Sequence, residues 1–582
     1  MALFGASVVV VTAVKVLLMQ SYHSTDFDVH RNWLAITYSF PVKEWYFERT
    51  SIWTLDYPPF FAYFEWILAQ VAAYIDPSML NVNNLTYASA ATVAFQRGSV
   101  MVTDMVLLSA AWYFLGGSTT ISPSTEDLWS YAFTIGHVGL IMVDHIHFQY
   151  NGVLLGLLVW SFVLAERRQY LSMATCAATL MLAKHLFLPL APLYAIFLLR
   201  THCCSAPRDA RSDEVKRFDP WAFMQLVALA AVLLGAAFGP FLTQSNGTDQ
   251  MIQIFSRLFP FGRGLLHTYW APNVWALYCA ADMGLALLLQ VPRESGLSPS
   301  SGLQGSFEPM VLPNVTAVMC MGLVVSAMLP ALRQLWRAPS PQVLVRGAIY
   351  CSLCVFMLGY HVHEKAVLVP SVLTALIAFY SSSEAMLFIQ LSMVAIHAQL
   401  PLLPRPEEVA VKVVLAVAYM ALAMKVMQNK VSTASYVMWQ LTAIVHCVVS
   451  VVREVVCPLA VAGTFGYTMQ VLSSRYEFLP LLLTSVTNAM FMLPCWFRAW
   501  QLVVAIADEH EMEETLFGKG ADAGDRAVCI SREDSGEIMV APLEKSEPGP
   551  SVLVHDMNAK KKKNRNKPKR RVSFSKSDQV LL

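Results

Sequence analysis

The residues of this chain that are best suited to chemistry form a polar segment directly after its first apolar stretch. Within residues 24–33 the chain carries two carboxylates, Asp26 and Asp28, followed by His30 and Arg31. Carboxylates and imidazoles can act as general bases, and arginine binds anions such as phosphate. Ionisable groups beside a membrane segment are costly and therefore tend to be functional. This segment, which we call the acidic island, thus predicts a site.

Further ionisable and aromatic residues lie at the edges of apolar stretches or inside them. Asp56 and Tyr57 extend the acidic island. The other groups are Asp144, His145, His147, Gln149 and Asn151; Lys184 and His185; Arg257 and Arg263 with His267, Tyr269 and Trp270; and His361, His363, Glu364 and Lys365. Arginine and lysine suit a phosphate group. The Trp and Tyr residues suit the faces of sugars, or else form the aromatic belt of a membrane protein.

Three kinds of site are compatible with these residues. The carboxylates and histidines could bind a metal, but His145/His147 and His361/His363 are two residues apart, which points them to different faces of a helix. A proton-coupled carrier could use the same groups as a relay. The third interpretation is an active site at the membrane face, in which a carboxylate base meets an anionic lipid-linked donor. The positions of the groups in loops on one predicted side favour the third.

The composition indicates the setting that must position these residues. The chain has 582 residues, of which 56% are hydrophobic and 14% are charged, whereas soluble proteins carry about 25% charged residues. Its apolar runs are roughly 17–25 residues long, which is the span of a bilayer. We therefore expect an all-α polytopic membrane protein with about 11–14 transmembrane helices.

Sequons and basic loops predict the topology. Lys and Arg crowd residues 166–168, 200–217 and 333–346, which places these loops in the cytosol by the positive-inside rule. The sequons at Asn84, Asn246 and Asn314 then lie on the other, lumenal side, together with the acidic island. The apolar segments 58–75 and 273–291 fall between lumenal features, so we expect lumenal in-plane helices there.

The domain organisation follows from the same pattern. Residues 1–505 form a transmembrane catalytic domain with lumenal loops at 21–97 and 244–310. Residues 506–582 form a charged tail with a basic run at 560–571. Such a segment is too poor in apolar residues to fold, so we expect a disordered cytosolic tail. Its basic run could bind anionic lipid headgroups or RNA, but we expect a solvated tail and no nucleic-acid partner.

Five motifs in order resemble one known family. They are Ser24-Thr-Asp-Phe-Asp-Val-His-Arg-Asn-Trp33, Trp53-Thr-Leu-Asp-Tyr-Pro-Pro59, Asp144-His-Ile-His-Phe-Gln-Tyr-Asn151, Arg257-Leu-Phe-Pro-Phe-Gly-Arg263 and His361-Val-His-Glu-Lys365. Together they resemble the endoplasmic-reticulum glucosyltransferases that use dolichyl-phosphate glucose to build the lipid-linked N-glycan precursor. The resemblance covers residues 1–505. The departures from the family pattern are Tyr360, where tryptophan is expected, and the long tail.

The resemblance implies a fold and an activity. The fold is that of a GT-C glycosyltransferase in the endoplasmic reticulum membrane, with its site facing the lumen. The island and the segment 268–278, with Thr268 in place of alanine, look like the family member that adds the second glucose to Glc1Man9GlcNAc2-PP-dolichol. The alternatives are the member that adds the first glucose to Man9GlcNAc2-PP-dolichol, a proton-coupled carrier and a non-catalytic assembly subunit.

The resemblance also implies roles for the site residues. Asp26 is the expected general base of an inverting transfer, with Asp28 as the second candidate. No metal ion or other cofactor is expected, and the partners are the lipid-linked donor and acceptor; nothing predicts protein partners. The expected substrate-binding residues are His30, Arg31, Asp56, Tyr57, Asp144, His147, Gln149, Arg257, Arg263, Tyr269, Trp270, His361, His363, Glu364 and Lys365.

Overall fold

The computed structural model describes most of the chain outside its tail. The described residues are 2–117, 123–205, 217–244, 246–259, 264–267, 271–291, 309–451, 479–517, 528–532 and 538–542. The predicted site residues Arg263, Tyr269 and Trp270 lie outside these ranges, as does the basic run at 560–571.

Helices make up nearly all of the described structure. The α-helices are α1 (Ala2–Leu17), α2 (Thr25–Ser39), α3 (Pro59–Ile75), α4 (Ala90–Thr103), α5 (Met105–Phe114), α6 (Thr125–Ile135), α7 (Val138–Leu140), α8 (Asn151–Glu166), α9 (Tyr170–Ala183), α10 (Ala191–Leu198), α11 (Pro220–Leu242), α12 (Gly247–Leu258), α13 (Val274–Leu288), α14 (Ala317–Arg337), α15 (Pro341–Leu358), α16 (Leu368–Leu376), α17 (Ser382–Gln399), α18 (Val409–Met427), α19 (Thr433–Val451) and α20 (Leu479–Phe517).

Shorter elements connect these helices. Two π-helices span Ile141–Phe148 and Leu199–Cys203. The 3-10 helices are Leu18–Gln20, Val42–Glu44, Pro77–Leu80, His185–Leu190, Glu364–Val367, Leu400–Leu402 and Pro406–Glu408. The strands β1 (Cys204–Ser205) and β2 (Arg217–Phe218) pair antiparallel, as do β3 (Val528–Arg532) and β4 (Ile538–Pro542).

Seven helical segments in the described part of the chain are long and apolar enough to cross a bilayer. They are Leu3–Gln20, His185–Cys203, Pro220–Leu242, Ala317–Arg337, Pro341–Leu358, Ser382–Leu402 and Pro406–Met427. On α11 the large apolar side chains of Val232 and Leu234 are 67% and 50% exposed. Exposed apolar surfaces of this extent are typical of lipid contact. The all-α polytopic class is confirmed, while the number of 11–14 crossings stays a prediction.

The two segments expected to lie in the membrane plane form shorter helices. α3 has 17 residues and α13 has 15 residues, so both fall short of the seven long segments. Their in-plane orientation stays a prediction.

Local sequence explains where the helices near the site begin. The Ser24 side chain accepts a hydrogen bond from the backbone of Asp26 and caps α2, and Pro59 occupies the first turn of α3. A serine at the N-cap satisfies a backbone N–H that has no partner within the helix, and proline has no such N–H to satisfy. The acidic island is therefore the start of a helix.

The chain divides into two compact units. The first, Met1–Leu516, contains the large apolar core in which α2 packs against α3. Nine of the fifteen residues of α2 are buried, among them Phe27 and Trp33. The second, Phe517–Leu582, contains the hairpin of β3 and β4, in which Ile530 pairs with Val540.

Candidate active site

Asp26 is the centre of a cluster of polar side chains from distant parts of the chain. Its Oδ2 accepts hydrogen bonds from Lys365 Nζ at 2.6 Å and from Gln149 Nε2 at 2.7 Å. His147 Nε2 lies 3.4 Å from the same oxygen. No described residue donates a hydrogen bond to Oδ1, and the side chain is 24% exposed. One carboxylate oxygen is thus held by three described side chains, and the other receives no hydrogen bond from the described part of the chain.

The π-helix Ile141–Phe148 brings His147 and Gln149 to Asp26. The backbone N–H and the hydroxyl of Ser24 both donate to the carbonyl oxygen of His147, at 3.3 and 2.6 Å. Between the two site residues, Phe148 adopts a φ of 93°, which is costly for a bulky residue. π-helices and such strained residues are both typical of functional sites.

Arg97 on α4 holds these segments together from behind. Its buried guanidinium donates to the carbonyl oxygens of Leu18, Ser21 and Tyr22, at 3.0, 3.2 and 2.9 Å. It also donates to the carbonyl oxygens of His145 and Ile146 in the π-helix. A single side chain therefore joins the residues just before the acidic island to the segment that carries His147.

The 3-10 helix Glu364–Val367 brings in Lys365. His363 caps this helix, because its Nδ1 accepts from the backbone N–H of Lys365. Just before it, His361 adopts a φ of 54° and is anchored by its backbone N–H to the carbonyl of Leu265 and by its ring to that of Gly264. The HxHEK motif is thus a turn that aims one lysine at Asp26.

The charges around Asp26 determine its protonation. Burial by itself raises the pKa of the carboxyl group, but Lys365 and His147 outweigh burial and hold the pKa well below its usual value. Burial, together with the positive charge of Lys365, lowers the pKa of His363. At neutral pH the cluster therefore contains an ionised Asp26 and a neutral His363.

A second group beside Lys365 has the composition of a metal site. Among the described residues His267, His363 and Glu364 each offer one ligand atom, and these atoms lie within 4.8 Å of one another. Burial and the neighbouring His363 lower the pKa of His267 to about 2. Glu364 Oε2 lies 3.0 Å from His363 Nδ1. These three residues are the ones that could hold a cation.

Asp28, the second candidate for the base, lies apart from this cluster. Its ionisable neighbours are His23 and Arg31. Burial raises the pKa of Asp28, and these two groups offset that effect only in part. Residues two apart on a helix point in different directions, so Asp26 and Asp28 cannot share one set of partners.

His30 and Arg31 are buried in the protein interior. His30 Nδ1 lies 2.6 Å from Glu65 Oε1 on α3. Arg31 is fully buried and donates to the carbonyl oxygens of Met79 and Asn81, at 2.9 and 3.0 Å. Both attach α2 to the segments that follow it, and their expected contact with substrate stays a prediction.

Tyr57, Lys184 and Arg257 form the next layer around Asp26. The Lys184 ammonium lies 5.1 Å from the centre of the Tyr57 ring and is close enough to Asp26, Asp56 and Lys365 to interact with their charges. Arg257 donates to Thr54 Oγ1 at 2.8 Å and is electrostatically coupled to Asp56. The structure therefore brings Asp56, Tyr57 and Arg257 to the neighbourhood of the site.

Asp144 is buried behind the site. Its Oδ1 accepts from Asn151 Nδ2 at 2.8 Å, and its Oδ2 accepts from the backbone N–H of Gly152 at 2.7 Å. Asn151 also donates to Gln149 Oε1 at 2.9 Å. Asp144 therefore supports the residues that contact Asp26 and does not itself face the open side of the cluster.

Sequence reasoning missed several residues that build the site. Lys184 and Asn151 were noticed only as members of polar clusters, whereas Arg97 and Glu65 were not singled out as site residues. The available signal was the same for all four, namely a charged or amide side chain inside an apolar stretch, because such a group needs a buried partner.

Comparison with known proteins identifies the family. The family model described as the ALG6, ALG8 glycosyltransferase family matches residues 11–499. The chain belongs to this family. The expected membership and the expected class of enzyme are confirmed, since this is a family of glycosyltransferases.

Relatives with known names cover nearly the same length. A Neurospora crassa protein is 39% identical over 84% of this chain and 96% of its own length. A Bos taurus protein is 38% identical over 86% of this chain and 95% of its own length, and an Arabidopsis thaliana protein is 41% identical over 70% and 78%. All three are named dolichyl pyrophosphate Glc1Man9GlcNAc2 alpha-1,3-glucosyltransferase. The family match at residues 11–499 includes all residues of the Asp26 cluster.

Proposed function

We propose that this member of the ALG6, ALG8 family transfers glucose from dolichyl-phosphate glucose to Glc1Man9GlcNAc2-PP-dolichol, with inversion, to form an α1,3 bond. The names of the relatives, which match along most of their length, support this acceptor. The single observation that carries the chemistry is Asp26, whose Oδ2 is held by Lys365 and Gln149 while Oδ1 is open.

The inversion requires one base and one displacement. The 3-hydroxyl oxygen of the terminal glucose attacks the anomeric carbon of the donor, and the bond between that carbon and the phosphate oxygen breaks. Asp26 Oδ1 takes the hydroxyl proton, and dolichyl phosphate leaves with the bonding electrons. A phosphate leaving group needs little protonation, so the reaction depends on one base and on cations at the phosphate.

Lys365 links the base to the donor. Its ammonium is paired with Asp26 at 2.6 Å, and both side chains are partly exposed, at 11% and 24%. A donor phosphate that arrives beside the pair competes with Asp26 for the lysine. When Lys365 turns to the phosphate, the charge that holds the pKa of Asp26 down is withdrawn, and Asp26 becomes a better base. Donor binding thus prepares the base.

Other groups complete the proposed phosphate site. His361 and His363 lie on the same turn as Lys365, and Arg257 lies in the layer around Tyr57. We propose that the reaction needs no metal ion, because Lys365 and Arg257 supply the positive charge that the leaving phosphate requires. Among the described residues, His267, His363 and Glu364 are the group that could hold a metal ion. Removal of metal ions with a chelator therefore tests this proposal.

The proposed location follows from the substrates. Because both lipids belong to the dolichol-linked pathway of the endoplasmic reticulum, we propose that the enzyme resides in that membrane. Its site then faces the lumen and its tail the cytosol. The multi-pass character supports this setting, since the lipid tails of donor and acceptor can be reached only from within the bilayer.

The deciding experiment supplies purified protein in detergent with dolichyl-phosphate glucose and either Glc1Man9GlcNAc2-PP-dolichol or Man9GlcNAc2-PP-dolichol. We expect one added hexose on the first acceptor, and an α1,3 linkage by glycosidase digestion. Addition only to the second acceptor would overturn the acceptor choice in favour of the first-glucose member. Absence of any covalent product, with uptake of labelled glucose into vesicles, would favour a carrier.

A matched pair of variants tests the base. Asp26→Asn keeps the shape of the side chain but cannot accept the proton, so we expect transfer to be lost. Asp249→Asn, on the exposed first turn of α12, removes a carboxylate elsewhere and should leave transfer unchanged. Transfer by Asp26→Asn at near the wild-type rate would refute the role of Asp26.

A further inference from the structure

A chain of buried side chains connects Asp26 to Lys184. Gln149 Nε2 donates to Asp26 Oδ2 at 2.7 Å, Asn151 Nδ2 donates to Gln149 Oε1 at 2.9 Å, and Lys184 Nζ donates to Asn151 Oδ1 at 2.9 Å. Gln149, Asn151 and Lys184 are 9%, 8% and 8% exposed. Water therefore has little access to these hydrogen bonds, and each amide must be satisfied by its protein neighbours.

The donor and acceptor capacities of the side chains set the direction of every hydrogen bond between Lys184 and Asp26. A lysine ammonium can only donate, so it must meet the oxygen of Asn151. The Asn151 nitrogen then points the other way and donates to the oxygen of Gln149. This leaves the Gln149 nitrogen to face Asp26, whose ionised carboxylate can only accept. The two amides thus share one orientation, which is imposed from both ends.

Asp144 secures the orientation a second time. Its Oδ1 accepts from the same Asn151 nitrogen at 2.8 Å, and this hydrogen bond would be lost if the amide of Asn151 were flipped. The carboxylate of Asp144 is held in turn by the backbone N–H of Gly152. A Cβ at Gly152 would come 1.9 Å from Asp104 Oδ1, so only glycine fits beside the two carboxylates.

We propose that Asn151 and Lys184 are positioning residues that hold the amide of Gln149 with its N–H toward Asp26. This inference rests on the proposed role of Asp26 as the base. Gln149, expected to bind substrate, becomes the residue through which the other two act. Held in this way, Asp26 remains ionised and keeps Oδ1 directed away from the amide. With the amide reversed, an oxygen would face the carboxylate and favour its protonated form.

Other groups also face Asp26 and contribute to its titration. Those on neighbouring elements are Lys365 and His363 on the HxHEK turn, His147 on the π-helix, Lys184 itself, and Tyr57 before α3. A substitution within the amide chain leaves the first three in place. The uncharged variant Gln149→Met therefore isolates the effect of the hydrogen bond on the titration of Asp26, whereas the charged variants add the effect of a changed charge.

The experiment measures kcat/KM for the acceptor against pH, at saturating donor, in the full-length protein. Gln149→Glu puts a second carboxylate beside Asp26, and Asn151→Asp turns the Gln149 nitrogen away from Asp26. Lys184→Met removes the donor at the far end. Loss of a hydrogen bond to a charged acceptor moves its pKa by about one to two pH units. We expect the acidic limb to move to higher pH in all three variants, most for Gln149→Glu and least for Lys184→Met.

Two controls separate this effect from loss of structure. Gln428→Glu, at the exposed end of α18, adds the same charge elsewhere and should leave the limb unchanged. Gln149→Met, which cannot donate but adds no charge, should move the limb upward even if Gln149→Glu fails to fold. Folded Asn151→Asp and Lys184→Met proteins with reduced rates but an unshifted limb would overturn the positioning role. Transfer by Asp26→Asn would instead refute the base assignment.

Discussion

Replacing Lys365 by methionine tests the link between donor and base most directly. The substitution keeps the length of the side chain and removes its charge. In the wild-type protein this lysine lies 2.6 Å from Asp26 Oδ2, and its side chain is 11% exposed. The same ammonium is the one proposed to meet the donor phosphate. The variant should therefore change both donor binding and the titration of Asp26.

The magnitude follows from the strength of one charge-assisted hydrogen bond. A hydrogen bond to a charged group contributes about 1.5–3 kcal/mol, and about 1.4 kcal/mol corresponds to a factor of ten. We therefore expect the KM for dolichyl-phosphate glucose to rise about 10- to 100-fold. kcat should also fall, because the leaving phosphate loses a cation that stabilises its developing charge.

The pH dependence has a defined sign. In the wild-type protein Lys365 lowers the pKa of Asp26 against the opposing effect of burial. This pairing stabilises the folded state above the ordinary carboxyl pKa of about 4, and the contribution is lost as the pH falls through the lowered pKa. Without Lys365, burial raises the Asp26 pKa, so the acidic limb of kcat/KM for the donor should move to higher pH.

The assay is steady-state transfer at saturating acceptor with varied donor, over a range of pH. Lys365→Arg keeps a cation and should restore part of the donor affinity. Lys43→Met, at an exposed position before α3, is the matched control and should behave as wild type. A folded Lys365→Met protein with an unchanged donor KM would refute the reasoning.

Three further predictions follow from other parts of the site. Asp28→Asn should retain most of the transfer activity that Asp26→Asn loses, because Asp28 lies apart from the Lys365 cluster; equal loss in the two variants would contradict this. Arg97→Lys should lower the free energy of unfolding by about 2–4 kcal/mol, because a lysine cannot reach five carbonyl oxygens. Thermal unfolding in detergent measures this loss, with the exposed Arg333→Lys as the control. Treatment with EDTA should leave transfer unchanged; loss of activity that Mn²⁺ or Mg²⁺ restores would instead assign a metal to His267, His363 and Glu364.

Much of the fold could be predicted because it depends on local signals. The apolar runs predict membrane helices, and Ser24 and Pro59 predict the starts of α2 and α3, since caps and proline act within one helical turn. The polar clusters also contain the residues that meet, as His147, Gln149 and Lys365 all reach Asp26. A charge in an apolar environment requires a partner, and few partners were available.

The directions of the side chains could not be predicted in the same way. His30 and Arg31 look like site residues in the island, yet they pair with Glu65 and with backbone carbonyls behind it. A helix presents successive residues to every side. Which side is buried depends on what packs against it, and for α2 that is α3 and the π-helix Ile141–Phe148.

The sequence by itself determined the class of protein, its family and the residues that carry charge into the membrane region. It could not decide between Asp26 and Asp28, which are two residues apart and chemically alike. The tertiary structure distinguishes the two, because Lys365 approaches from 339 residues away and, among the described carboxylates, forms its ion pair with Asp26. The same long-range packing turned Gln149, Asn151 and Lys184 into one directed chain of hydrogen bonds. Such contacts join segments with no local relation, so their physical cause lies in the packing of the whole unit.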